Sequence, residues 1–500
     1  MLALGASLID FKDFLRAATA ANNWILATFG WAFGLASFAA VLLVLAVFVS
    51  PVGAVRIGGE EAKPVLNRWN WFAITLCTTI ATGILFWGAS EPLLHFNNPP
   101  AFADAGSRTP GAEVFALSTL YMHWAITPYA IYAVPSLAFA LAYYNLNSAY
   151  SLSGPLSVVL GERAKGAAGS VIDAMALFAL VAGVAASLGA GVITLVDGMR
   201  RILGVPDGMA SRLLVTAVIV ATYVASSVSG LQKGIKYLSD INLRFFFVLI
   251  AFVLIAGPTL AILALGAESI VHYAREFLPW SFGAIERSDT QWTRDWTIYY
   301  FANWLAWAPI TALFLGRISV GYTVREFIVF NLVLPALFSI VWMTIFGGAV
   351  INLDLQDHGA LTAAVDKRGP GAAPYALFKA LPLTGIVIFG FLVTTFISFV
   401  TAMDSNTHSI ASVCLDWRRQ DEEIKGAGLW IKIFWGVLIG AVAWVMTSTN
   451  GVAGVRMLSN LGGLPGLLIL IGCGAALARL VMMGRERLER VPTKGAKAPQ

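Results

Sequence analysis

Five large aromatic side chains stand where hydrophobic helices would set them side by side. In the segment MHWAITPYAIY, Tyr129 and Tyr132 follow Trp124 by five and eight residues, and at about 100° per helical residue the three spread over roughly 140° of surface. In WTIYYFANWLAWAP, Trp304 and Trp307 are three apart and share a face on neighbouring turns. Aromatic faces carry partial negative charge. Gathered in a dry cavity they hold a cation that has no hydrogen bond to give, a quaternary ammonium above all. Tryptophan and tyrosine also form belts at membrane interfaces, but these clusters fall at the middle of their apolar runs rather than at the ends.

Polar residues inside apolar runs are the second source of chemistry. The stretch Thr78-Thr79-Ile80-Ala81-Thr82-Gly83 is β-branched, small and glycine-containing, propagates a helix poorly, and predicts a break at which Thr82, Gly83 and nearby Phe86 face a ligand. Asp295-Trp296-Thr297, Asn303 and Pro309 predict a corresponding break in a later run. Glu91 and Pro92 read as the end of the first broken helix. Arg244 heads the run LRFFFVLIAFVLIAGP, and Thr401 precedes Asp404 by three residues in another apolar helix. An ionisable residue within a span is a functional hypothesis by default, while snorkelling of Arg244 to the interface is the plainer one. His95, His123 and His408 read as scattered, with no metal or proton role. Cys77, Cys414 and Cys473 lie in apolar segments without CxxC spacing, so no metal or cofactor is expected. No HExxH, paired aspartates or Ser-Lys constellation points to an enzyme.

These residues need elements that carry them through a membrane. Of 500 residues, 58% are hydrophobic and 12% charged, which excludes a soluble enzyme, a secreted disulfide scaffold and a nucleic-acid binder. Eleven apolar runs are long enough to cross a bilayer, at 22–49, 69–96, 114–144, 168–198, 210–228, 238–265, 294–316, 325–353, 382–415, 429–448 and 455–483. Residues 1–21 read as an amphipathic surface segment rather than a signal peptide, 266–293 as a charged connection and 484–500 as a basic tail. Five plus five plus one leading helix accounts for every span, which predicts an all-α polytopic membrane protein built from a five-plus-five inverted repeat, 69–265 and 294–483. The bias of Lys and Arg toward the cytoplasmic side is small, and favours an external N-terminus. Multi-pass insertion in a cell membrane follows, with the bacterial inner membrane as the expected location, the bilayer as partner and no nucleic acid.

The segments WTIYYFANWLAWAPITALFLGRISVGYTVREFI, ILFWGASEPLLHF, MHWAITPYAIY and FVTAMDSNTHS together resemble the betaine/carnitine/choline transporter family, from about Trp69 to Met483. The resemblance implies the sodium-symporter-like (LeuT-type) fold, quaternary ammonium substrates, a homotrimer, and an aromatic cage formed by Trp124, Tyr129, Tyr132, Trp304 and Trp307. The chain departs from the family pattern in informative places. Phe301 and Asn303 stand where tryptophans are usual, and the family's first span is not found in this sequence, an absent span and a truncated start being the two explanations. Where sodium-coupled members carry hydroxyl residues this chain has Ala402, Leu180 and Val184, and a hard cation needs oxygen ligands. Arg244 would then supply a fixed positive charge in place of an ion, as in the sodium-independent carnitine/γ-butyrobetaine antiporters, with Thr401 and Asp404 beside it. The expected function is alternating-access exchange or uniport of onium solutes without sodium. The alternatives are a sodium- or proton-coupled symporter, and a ligand-binding sensor, for which no output domain is visible.

Overall fold

The computed structural model describes residues 11–80, 82–228, 232–414 and 424–489, and among them every named element is a helix; a lone bridge pairs Arg56 with Thr323. The chain enters through α1 (Phe11–Val49), followed by α2 (Arg68–Ile80), α3 (Gly83–Asn97), α4 (Pro110–Trp124), α5 (Ile126–Ala140), α6 (Ala167–Leu203), α7 (Met209–Val228) and α8 (Gln232–Ala256). After α9 (Thr259–Glu286) come α10 (Tyr299–Ile318), α11 (Leu334–Gln356), α12 (Thr384–Cys414) and α13 (Ile424–Met483). Among the described residues nine helices are long and apolar enough to cross a membrane, and the bent pair α2–α3 makes ten. Gly451, at φ 54, divides the long α13 into two, which gives the eleven spans expected. Glycine suits that left-handed position because it has no Cβ to clash.

The predicted break in the second span is real. α2 and α3 meet at an angle of 56° around Ala81 and Thr82, with Ala81 itself outside the described residues. Span three is also broken, at Ala125 (φ −106, ψ −113), between Trp124 and Tyr129. The predicted break in span seven is absent. A short helix over Gln291–Thr293 runs through a π-turn, Arg294–Ile298, directly into α10, and the helix continues past Pro309. Proline frees the carbonyl four residues earlier, that of Leu305. Gly466 of α13 packs so closely on this carbonyl that no side chain would fit there, so close packing of α13 accompanies the proline without a kink.

Two connections differ from the sequence reading. α1 is continuous from Phe11, so the described part of segment 1–21 is helical and joins the leading span without a break. The run 238–265 ends at Ala256, and Gly257-Pro258 turns the chain into the 28-residue α9. What read as a charged loop over 266–293 is largely helix, with Leu260, Leu263, Leu278 and Phe282 exposed along it. Charges at Glu268, Arg275 and Glu276 had masked its apolar face.

Caps fix the helix ends that matter. Thr109 accepts from Ala112 N at 3.3 Å, with Pro110 as the first residue of α4. Thr323 and Glu326 form a reciprocal capping box at the start of span eight. At the centre, α10 packs against α5, α6 and α13, and that packing positions the aromatic residues.

Candidate functional site

Trp304 of α10 is the hub of the buried aromatic cluster. Its ring lies 5.5 Å from Trp124, 5.7 Å from Tyr129 and 5.3 Å from Tyr132, centroid to centroid, and its indole N–H donates to the His123 carbonyl at 3.1 Å. Trp124 comes from α4 and the two tyrosines from α5. The break at Ala125 therefore lets one span approach Trp304 from two directions. The contacts to Trp124 and Tyr132 are edge-on, the favoured aromatic geometry. The rings close on one another. Tyr129 is tied by its hydroxyl to Ser339 at 3.1 Å.

The other sequence-selected residues divide. Gly83 belongs to the cluster: a Cβ there would lie 2.9 Å from the Trp124 ring. Trp307 and Thr82 meet at a second point, where the Trp307 indole N–H donates to Ser187 Oγ and Thr82 Oγ1 donates to the Ser187 carbonyl, each at 3.1 Å. Phe86 is buried against Trp87, with centroids 4.7 Å apart, one turn beyond Gly83. Thr401 spends its hydroxyl on the carbonyls of Ile397 and Ser398, both at 3.0 Å, and Asp404 accepts from Ser226 at 2.8 Å.

Arg244 is not at the site. Its guanidinium is 72% exposed and pairs with Asp240 one turn earlier at 2.9 Å, which corrects the expectation of a fixed charge beside Thr401 and Asp404. The face of α8 that meets α12 carries Asn242 instead, whose amide donates to Ser398 at 3.0 Å. Two residues along a helix turn the side chain by about 200°, so Asn242 inside places Arg244 outside.

The structure also overturns the reading of His95 and His123 as scattered. Both converge on the fully buried Glu91. Oε1 of Glu91 meets His123 Nδ1 at 2.6 Å and His95 Nε2 at 3.2 Å, while Oε2 accepts from Trp124 Nε1 at 2.9 Å. The far nitrogen of His123 bonds Thr297 Oγ1 at 3.0 Å, and its ring stacks on Tyr300 at 4.6 Å. Arg456 of α13 sits over Trp296, Tyr299 and Trp87, with Cζ 4.4, 5.3 and 5.5 Å from the ring centroids. The chain thus already holds one cation of its own against aromatic faces. A signal for the cluster did exist in the sequence: Glu91 and His95 are four apart on one helical face, and both lie within an apolar span. The side chain of His408 lies outside the described residues.

A polar seam joins α2, α10 and α12 beside the cluster. Thr78 bonds Ser405 and Thr311 bonds Asn406, both at 3.0 Å. Leu180, Val184 and Ala402 are buried and contribute no side-chain oxygen.

The sequence profile of the betaine/carnitine/choline family transporters matches residues 1–486. The chain is 30% identical to the glycine betaine transporter OpuD of Bacillus subtilis over 94% of its own length and 90% of the relative's. It is 31% identical to the betaine/ectoine transporter LcoP of Corynebacterium glutamicum, covering 92% and 71%, and 28% identical to the high-affinity choline transport protein of Escherichia coli, covering 100% and 73%. Among solved structures, a Na+-coupled sialic acid symporter in a substrate-bound outward-open state superposes with a TM-score of 0.50 at 12% identity, over 90% of this chain and 85% of that one. At that identity the likeness concerns the fold.

Proposed function

The chain belongs to the betaine/carnitine/choline transporter family, and on that premise we propose that this multi-pass membrane protein moves quaternary ammonium or related methylated onium solutes by alternating access. The observation that carries the reading is Trp304 surrounded by Trp124, Tyr129 and Tyr132 from the two halves of a broken span. Such rings recognise an onium headgroup by its charge and shape, without a hydrogen bond. The two moving units are the repeats 69–265 and 294–483, and Trp304 of the second faces the broken helices of the first. The names of the relatives support a betaine or choline type of substrate, and the family resemblance a homotrimer.

Transport on this reading is exchange or uniport that does not require sodium. Its support is the apolar character of Leu180, Val184 and Ala402, at positions where sodium-coupled members carry hydroxyls. The seam of Thr78, Ser405, Thr311 and Asn406 favours a second reading, sodium symport, since it gathers oxygens between α2, α10 and α12. Uptake of labelled choline, betaine and carnitine into proteoliposomes, with sodium replaced by potassium, tests both. Equal uptake in the two salts supports the first reading, a steep rise with sodium the second, and no uptake of any of the three removes the onium assignment.

A further inference from the structure

We propose that Glu91, His95 and His123 form a proton-binding site, and that a proton there and an onium cation in the Trp304 cage weaken each other's binding. The proposal rests on the onium reading above and names its coupling ion.

The hydrogen bonds suit an ionised Glu91. An ionised carboxylate only accepts, and Glu91 has three donors around it: His95 Nε2, His123 Nδ1 and Trp124 Nε1. With both imidazoles neutral, the cluster carries one negative charge, fully buried. Arg456 does not pair with it. The ring of Trp296 touches both neighbours, its centroid 4.4 Å from the His95 ring and 4.4 Å from Arg456 Cζ. A buried charge without a direct ion pair is costly, and two cations can relieve it. One is a proton on the cluster. The other is an onium held by Trp124, whose indole N–H is already bonded to Glu91. Each lessens the charge that attracts the other, so the linkage is antagonistic and reciprocal.

The proton has a way in and a place to sit. A narrow cleft with about 20 Å³ of room, enough for roughly one water molecule, is lined by Phe115, Thr119, Trp280, Arg287 and Trp292 and reaches His123 and Thr297. A proton arriving at His123 Nε2 forms an N–H bond there, and the Thr297 hydroxyl turns from donor to acceptor. The imidazolium then donates at both nitrogens, to Thr297 and to Glu91. No other bond changes, and departure of the proton reverses the step. The consequence reaches the cage twice, through Trp124 on Glu91 and through the His123 carbonyl that holds Trp304. The other titratable or charged groups packed around the cluster are Tyr121 of α4, Tyr299 and Tyr300 of α10, Arg456 of α13 and Arg287 at the cleft. Tyrosine and arginine ordinarily titrate far above neutral pH, whereas histidine titrates near it.

The three ligand atoms lie within 4.8 Å of one another, a spacing also found around metal ions. The 2.6 Å separation of Glu91 Oε1 and His123 Nδ1 is a hydrogen bond. Two ligands of one zinc ion, each about 2.1 Å from it, stand roughly 3 Å or more apart.

The test is calorimetric binding of choline, which has no group titrating near neutrality, to the purified full-length protein in two buffers of different ionisation heat. Affinity should fall about tenfold between roughly pH 7.5 and 5.5, with a proton released on binding. Glu91→Gln should bind more weakly and without pH dependence or proton release; if that variant does not fold, His95→Gln should shift the midpoint of the parent's pH profile. The same choline affinity at both pH values in the parent, or an unchanged profile in Glu91→Gln, would overturn the proposal. A ligand-free readout separates it from the transport reading. Tryptophan fluorescence should show a pH step that Glu91→Gln lacks, and that step without binding of choline or betaine at any pH would remove the onium reading while leaving the proton site. Zinc, added alone, should leave the profile unchanged; a stoichiometric zinc complex that abolishes it would replace the proton site with a metal site.

Discussion

Trp124 donates its indole N–H to Glu91 at 2.9 Å, across the packing of α4 on α3. A tryptophan of the proposed cage and a buried carboxylate are thereby one unit, and the hydrogen bond to Glu91 sets the orientation of the ring. Hydrogen bonds to charged groups are worth about 1.5–3 kcal/mol, enough to hold the ring against casual rotation.

Removing the hub should weaken onium binding. A desolvated cation–π contact contributes about 2 kcal/mol, so Trp304→Ala should raise the Kd for choline or betaine by roughly 30-fold, and Trp304→Phe by less. Titration of purified protein measures it, and an Ala variant as tight as the parent would place the cation elsewhere.

Gly83→Val should abolish transport without loss of surface expression. The first added carbon lies 2.9 Å from the Trp124 ring, and that ring is held by Glu91 and cannot simply swing away. Gly83→Ala should be milder, since an aromatic edge can give by a few tenths of an ångström. Uptake normalised to expression checks the pair; full activity of the valine variant would show that the turn has room.

Arg244→Ala should transport at nearly the parental rate. The guanidinium is exposed and pairs with Asp240 one turn away, an interaction worth about 0.3–0.5 kcal/mol. A dead variant with normal expression would mean that Arg244 turns inward in another state of the transport cycle.

Replacing sodium by potassium at constant ionic strength should leave choline uptake unchanged within about twofold, because Leu180, Val184 and Ala402 offer a hard cation no side-chain oxygen. Counterflow in proteoliposomes is the cleanest measure, since it needs no gradient of either ion.

Arg108→Ala should lower thermal stability without altering onium affinity. Asp354, fully buried, accepts from Arg108 at 2.7 Å and from the backbone and hydroxyl of Thr362, each at 2.8 Å. Loss of the arginine leaves that carboxylate without its cation, at a cost of about 2 kcal/mol after allowance for partial solvent access. A thermal-shift assay with and without choline separates the two effects.

Much of this protein was legible along the chain. Uninterrupted apolar length gave the eleven spans, and the β-branched run before Gly83 gave the break between α2 and α3, because both are local properties of consecutive residues. The spacing of Trp124, Tyr129, Tyr132 and Trp304 likewise marked residues that the structure brings together. The misreadings around the aromatic cluster share one cause. Helical periodicity says which residues of one helix share a face, but which face meets a neighbour is decided by packing among helices far apart in sequence. That phase put Asn242 inward and Arg244 outward, sent Trp307 to Ser187 instead of Trp304, and brought Gly466 against the carbonyl that Pro309 frees. It also brought His123 of α4 to within 2.6 Å of Glu91 of α3. A hydrogen bond depends on tenths of an ångström between atoms on different helices, so a carboxylate, two histidines and a tryptophan that stand in two separate stretches of sequence became a single charged cluster only when those helices packed.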